Sequence, residues 1–132
     1  MDRSTQLPVI LIVDDDPTIL VLLDFLLHRL TPTYDIMTVL DAQSAMRHLA
    51  QRTVALVITD YMMPGMNGLQ LIAAVRTASP TTLVILISAD DSAALQQLAR
   101  EHQVDMFLSK AETFDRLENV VRGILNLASL KE

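Results

Sequence analysis

Aspartates, a serine and a lysine stand where short apolar runs of this chain end, and their types suit phosphoryl chemistry. Asp14, Asp15 and Asp16 follow Val9–Val13, Asp60 follows Val54–Thr59, Ser88 follows Leu83–Ile87, and Lys110 follows Met106–Ser109. Adjacent carboxylates repel, so burying them together is costly unless a cation sits between them. Mg²⁺ suits that task, because it takes hard oxygen ligands, keeps several waters and pairs with phosphate oxygens. A carboxylate held beside such a cation can act as a nucleophile and form an acyl phosphate. Asp60 has the strongest context for this role, since it leaves a buried strand for the turn-rich stretch Tyr61–Gly68. The Ser88 hydroxyl can hydrogen-bond a phosphoryl oxygen, with the small Ala89 leaving room beside it. The Lys110 ammonium can neutralise that oxygen as a point charge. Each residue alone has a plain structural reading: Asp16 as a helix cap, Ser88 as a turn residue, Lys110 as a solvated surface charge. Their coincidence, rather than any one of them, points to a site.

These side chains share a pocket only if the apolar runs are parallel strands of one open sheet, where ligands bind at the carboxyl ends. Pro8–Val13 is continuously apolar, as a strand buried on both faces would be. A helix follows with Asp16 as N-cap, Pro17 at its first position, and Ile19, Leu20, Leu22, Leu23, Leu26, Leu27 and Leu30 as its stripe. Thr31-Pro32-Thr33 ends it. Tyr34–Leu40 has the mixed polarity of an edge strand, and Asp41 caps a helix to about Gln51. Val54–Thr59 is the next apolar strand. The turn cluster Pro64–Gly68 follows, then a helix face made by Leu69, Leu71, Ile72 and Val75 that Ser79-Pro80 stops. Thr82–Ser88 reads as another buried strand, Asp90 or Asp91 as the cap of a helix through His102, and Val104–Ser109 as a fifth strand. The last helix carries Phe114, Leu117, Val120, Val121, Ile124, Leu125 and Ala128 on one side. Strict alternation with short connections implies an α/β fold, a (βα)5 three-layer sandwich with helices on both faces of a parallel sheet. The flavodoxin-like strand order 2-1-3-4-5 sets the first and third strands side by side, and these are the two that end in aspartates.

Composition limits what else the chain does. Its 132 residues suit one domain, and 51% hydrophobic against 20% charged residues implies a packed core. No apolar run approaches the ~20 residues of a membrane-spanning helix, and Met1-Asp2-Arg3-Ser4 lacks the pattern of a secretory signal. The absence of cysteine excludes disulfides, thiolate catalysis and cysteine-bound metal, and a cytoplasmic location is the expectation. A net charge of −6, with ten scattered Lys and Arg residues, argues against direct binding of nucleic acid. His28, His48 and His102 fall on predicted helices without ligand-like spacing. Met62, Met63 and Met66 suit either an adaptable contact surface or packing.

The residues from Ile10 to about Leu127 resemble the receiver domain of two-component response regulators. The motifs that carry the resemblance are Leu11-Ile12-Val13-Asp14-Asp15-Asp16-Pro17, Asp60-Tyr61-Met62-Met63-Pro64-Gly65-Met66-Asn67-Gly68, Ser88-Ala89 and Phe107-Leu108-Ser109-Lys110. Each is weak alone; in this order at strand ends they are specific. The resemblance implies a receiver domain over residues 8–128, with no output domain legible in the sequence. It implies that Asp60 accepts a phosphoryl group from a sensor histidine kinase or a histidine phosphotransfer protein. It also implies that Asp15, Asp60 and the backbone carbonyl of Met62 bind Mg²⁺, with Asp14 assisting through water. Ser88 and Lys110 would contact the phosphoryl oxygens, and Phe107 would swing inward in the active state, against simple core packing as its other reading. A downstream effector protein or domain, and a phosphorylation-dependent homodimer, are the implied associations. One departure is plain: many receivers have a cis Lys-Pro bond where this chain has Lys110-Ala111. A cis bond before a non-proline costs about 2.5–4 kcal/mol, so a trans peptide is expected here.

Two competing readings make different demands on the same residues. Asp14-Asp15-Asp16-Pro17-Thr18 also resembles the nucleophile motif of haloacid-dehalogenase-like Mg²⁺-dependent phosphatases, with Asp14 as nucleophile and Asp16 as general acid. Against this, no second acidic pair follows Lys110, and Asp60 with its turn would be unexplained. The other reading is a degenerate receiver that takes no phosphate and serves as a docking module.

Overall fold

The computed structural model describes residues 6–130, with side chains described as far as Asn126. Its five strands are β1 (Val9–Val13), β2 (Asp35–Val39), β3 (Val54–Asp60), β4 (Leu83–Ser88) and β5 (Met106–Ser109). The helices between and after them are α1 (Pro17–Leu26), α2 (Ala42–Gln51), α3 (Gly68–Ala78), α4 (Ala93–Glu101) and α5 (Lys110–Leu130). The sheet is parallel throughout, in the order β2-β1-β3-β4-β5 that the strand-end aspartates suggested. Among the described residues no helix is long and apolar enough to cross a membrane.

Successive strand side chains point to opposite faces, and here both faces are covered. On one side Leu11, Val57, Val84 and Leu86 pack with Ala45 and Leu49 of α2, Leu71, Ile72 and Val75 of α3, and Leu95 of α4. On the other, Ile10, Ile12, Ile58 and Ile85 meet Leu20 and Leu23 of α1 and Leu117 and Val121 of α5. That double cover explains why β1, β3 and β4 read as unbroken apolar runs rather than alternating ones.

Local chemistry fixes the helix starts. Asp16 caps α1 by accepting from the Thr18 amide at 2.9 Å, with Pro17 at the first position. Asp41 caps α2 through the Ser44 amide at 2.7 Å. α3 opens on a capping box: Asn67 accepts from the Gln70 amide while the Gln70 side chain accepts from the Asn67 amide.

Several expectations need correction. α1 ends at Leu26 and continues as a single tighter turn, His28–Leu30, before Thr31. Leu22 in its stripe is 41% exposed, and Phe114 of the α5 stripe is 48% exposed. α4 is capped by Ser92, not by Asp90 or Asp91. Asp90 is itself committed to a turn, its carboxylate accepting from the Ser92 amide at 2.9 Å. β5 starts at Met106 rather than Val104, because Gln103 turns into the left-handed region (φ 58°) after α4 and Val104 still donates to Ala99. The side chain of Ala128 and the structure of Met1–Ser4 lie outside the described residues. The one cis peptide among the described residues joins Thr31 and Pro32, so the bond after Lys110 is trans, as Ala111 predicts.

Candidate functional site

The register delivers the acidic residues to one place. Val13 of β1 is paired with Thr59 of β3, so the next residues along, Asp14 and Asp60, leave adjacent strands at the same level. Asp14, Asp15 and Asp60 each present a carboxylate oxygen within 4.8 Å of the others. Asp14 and Asp60 are buried, at 2% and 5% exposure, whereas Asp15 is open to solvent. Lys110 reaches this group from the far side of β4, its Nζ 3.5 Å from Asp60 Oδ2.

Charge in this pocket is out of balance. Three carboxylates face one ammonium. Burial raises the Asp14 carboxyl to about 6, against the pull of the Asp16 amide that donates to its Oδ1 at 2.9 Å; the neighbouring Asp60 and Asp15 add to the rise. Burial likewise raises Asp60, with Lys110 opposing it. A hard divalent cation would relieve this repulsion, and the donor set, all carboxylate oxygen with one solvent-facing member, fits Mg²⁺ with retained waters.

The remaining expected residues are placed differently. Ser88 ends β4 beside Ser109 of β5 in the register, is buried, and its Oγ accepts from the Asp90 amide at 3.0 Å. Its hydroxyl hydrogen remains free to be donated. Phe107 is partly buried against the core on the α2–α4 side. The Met62 and Met66 side chains are exposed, at 68% and 40%, while Met63 is buried. His28, His48 and His102 lie on the helical layers and the turn after α1, apart from the acidic group. Asp16 is exposed and spent on capping α1, so it does not join the carboxylate group as a general acid would.

Structure adds residues whose part motif spacing alone left unstated. Gly68 lets α3 start hard against the end of β3: a Cβ there would run into the carbonyl oxygen of Asp60 and lie 2.9 Å from Tyr61 Cα. The Gly68 amide donates to Tyr61 O at 2.8 Å, and the Tyr61 amide to Ile87 O at 2.8 Å, so the acceptor's neighbour is tied to both α3 and β4. The Asn67…Gln70 capping box was the available signal, since it makes Gly68 the first residue of the helix. Behind Lys110, the Glu112 carboxylate accepts from the Ser109 amide at 2.9 Å and the Thr113 hydroxyl donates to Ser109 O at 2.8 Å, fastening β5 to α5. The Ser109 amide and Arg116 hold the Glu112 carboxyl below its ordinary range.

A doubly wound sheet whose first and third strands end in clustered carboxylates, with a lysine from the fifth, defines a class of signalling module. The model of the response regulator receiver domain matches residues 10–122, and the chain belongs to this family. It is 34% identical over 117 residues to the transcriptional regulatory protein GlrR of Escherichia coli (strain K12), covering 88% of this chain and 26% of that protein. It is 38% identical over 114 residues to the response regulator GtcR of Aneurinibacillus migulanus, covering 86% of this chain and 45% of GtcR. The chain therefore spans less than half the length of these relatives. The crystal structure of the signal receiver domain of an HD domain-containing protein from Pseudomonas fluorescens Pf-5 superposes with a TM-score of 0.84 at 33% identity, covering 94% of this chain and 98% of that one. A receiver domain from Methanospirillum hungatei JF-1 shares the fold at 20% identity with a TM-score of 0.86.

Proposed function

We propose that this receiver is a phosphorylation switch in which Asp60 accepts a phosphoryl group from a sensor histidine kinase or a histidine phosphotransfer protein. The observation that carries the reading is the buried Asp60 carboxylate, 3.5 Å from the Lys110 ammonium and grouped with Asp14 and Asp15. One Asp60 oxygen forms the new O–P bond as the donor's N–P bond breaks, and the electron pair leaves on the imidazole nitrogen. Asp15, Asp60 and the Met62 carbonyl would hold Mg²⁺, with Asp14 reaching it through water; the ion supplies charge neutralisation between acceptor and phosphoryl group. Lys110 balances the charge on the product, and Ser88 donates its free hydroxyl hydrogen to a phosphoryl oxygen.

Phosphorylation adds about 1.5–2 negative charges at this point. The pull on Ser88 and Lys110 repacks Phe107 and alters the face of the last two strand–helix units, a local electrostatic event biasing a two-state element. The unit over residues 8–128 then passes the change to an effector protein or domain, or to a second copy of itself, in the cytoplasm. Its chemistry is confined to its own phosphorylation and dephosphorylation. The reading rests on the family, on the charge imbalance at the site, and on relatives named as regulators.

Incubation with Mg²⁺ and acetyl phosphate, followed by peptide mapping, should place the label on Asp60, and Asp60→Asn should abolish it. A label on Asp14 would indicate phosphatase-like chemistry instead. No label, together with no Mg²⁺ binding by calorimetry, would leave a docking module.

A further inference from the structure

At the opposite end of the strands from the carboxylates, the turn after α1 and the C-terminal half of α5 enclose an open cavity of about 310 Å³. Its floor is apolar, formed by Leu30 and Leu125, both 7% exposed. Its walls are polar: Arg29, Thr33 and Tyr34 from the turn, Arg122 and Asn126 from α5. Among the described residues the side chains of Arg29, Thr33, Tyr34 and Asn126 have no hydrogen-bond or ion-pair partner. Arg122 uses its Nε on Glu118 at 3.0 Å, an exposed pair one turn away, which leaves its terminal nitrogens free. Among the described residues no carboxylate lines the cavity, although the chain as a whole carries a net charge of −6.

We propose that this cavity is a second ligand site, for a small organic phosphate of nucleotide size. Guanidinium groups present planar forks that match phosphate oxygens. The cavity joins an apolar floor to a rim of solvent-exposed donors, at a volume where small-molecule sites begin, about 300 Å³. The Tyr34 ring, partly buried against the core, offers a flat surface for a ring-bearing body, and the Thr33 hydroxyl and Asn126 amide complete the donor set. The site is independent of the carboxylate group, which lies at the other end of the strands and would repel the same ligand unless a metal were bound.

The test is an amide chemical-shift titration of the whole ¹⁵N-labelled chain in EDTA, so that no metal draws phosphate to Asp60. Adenosine 5′-monophosphate, adenosine and inorganic phosphate are the probes. Saturable shifts confined to residues 29–34 and 122–126, strongest for the monophosphate, are expected. Arg29→Gln should weaken this binding about tenfold, the equivalent of losing one charge-assisted contact, while its own spectrum reports that it is folded. Absence of saturable shifts there, or unchanged binding in folded Arg29→Gln, overturns the proposal. Equal affinity for inorganic phosphate overturns the nucleotide-sized ligand.

Discussion

Gly68→Ala should destabilise this protein even though alanine is the better helix former. Gly68 opens α3 without a positive φ, so intrinsic preference alone favours alanine by roughly 0.5–1 kcal/mol. Opposing this, the added methyl meets the Asp60 carbonyl oxygen and lies 2.9 Å from Tyr61 Cα and 2.8 Å from Leu86 Cδ1. The leucine tip can rotate away; the two backbone atoms cannot, because Tyr61 is bonded to both Ile87 and Gly68. Overpacking of this kind costs about 1–3 kcal/mol, so after the alanine preference is offset a net loss of about 1–2 kcal/mol is expected. Urea denaturation checks it, as a lower midpoint at unchanged slope. Relief of the clash must push α3 or the end of β3 outward, so the folded variant should also bind Mg²⁺ more weakly by calorimetry. Gly65→Ala is the contrast: its φ of +76° is strained for alanine, but among the described residues no atom would lie within 4 Å of the added Cβ, so it should cost only ~1 kcal/mol and leave Mg²⁺ binding intact. A Gly68→Ala protein as stable as the parent would refute the reasoning, since the junction would then yield freely.

Further predictions concern charge and caps. Because the folded Asp14 carboxyl titrates near 6, above its ordinary value of about 3.9, the native state holds more protons between those values. Metal-free stability should therefore fall as pH rises from about 4 to 7, by up to ~3 kcal/mol. Asp14→Asn should reduce this dependence, leaving the part that the raised Asp60 carboxyl contributes, raise metal-free stability at neutral pH, and weaken Mg²⁺ binding; urea melts at two pH values in EDTA decide it. Ser92→Ala should cost ~1 kcal/mol by loss of the α4 cap, whereas Asp91→Ala should cost little, as thermal melts would show. Gln103→Gly should stabilise by up to ~1 kcal/mol, because Gln103 sits at φ 58°; an unchanged or lower melting temperature would contradict this.

Which strands are covered on both faces was legible because burial leaves a compositional trace; their order came from setting the two aspartate-ended strands side by side. β1, β3 and β4, covered on both faces, carry no polar residue before their ends, apart from Thr59 and the terminal Asp60 and Ser88. The site was legible for the same reason: a carboxylate at the end of such a run has nowhere to be except the sheet's edge. What escaped the sequence is set by bonds between distant residues. Ser92 outcompeted Asp90 as cap because Asp90 was taken by a turn of its own, and nothing in the order Asp90-Asp91-Ser92 announces which wins. The late start of β5 depends on Asp105 accepting from the Val84 amide and from Arg76, which donates also to Thr82 O and Gln103 O. Those partners lie far apart along the chain. Leu22 and Phe114 are apolar but sit outside the covered stripes, which periodicity alone resolves poorly at the stripe's margin.

Lys110 is both the last arm of the site and the first residue of α5, with no slack chain between it and β5. At 1.5 Å per residue, the 21 residues of α5 make a rod about 30 Å long. That rod is held along its length as well as at Lys110, because Leu117, Val121 and Leu125 are buried against the sheet. A shift of Lys110 is therefore resisted by the whole apolar stripe of α5 rather than by its first turn alone.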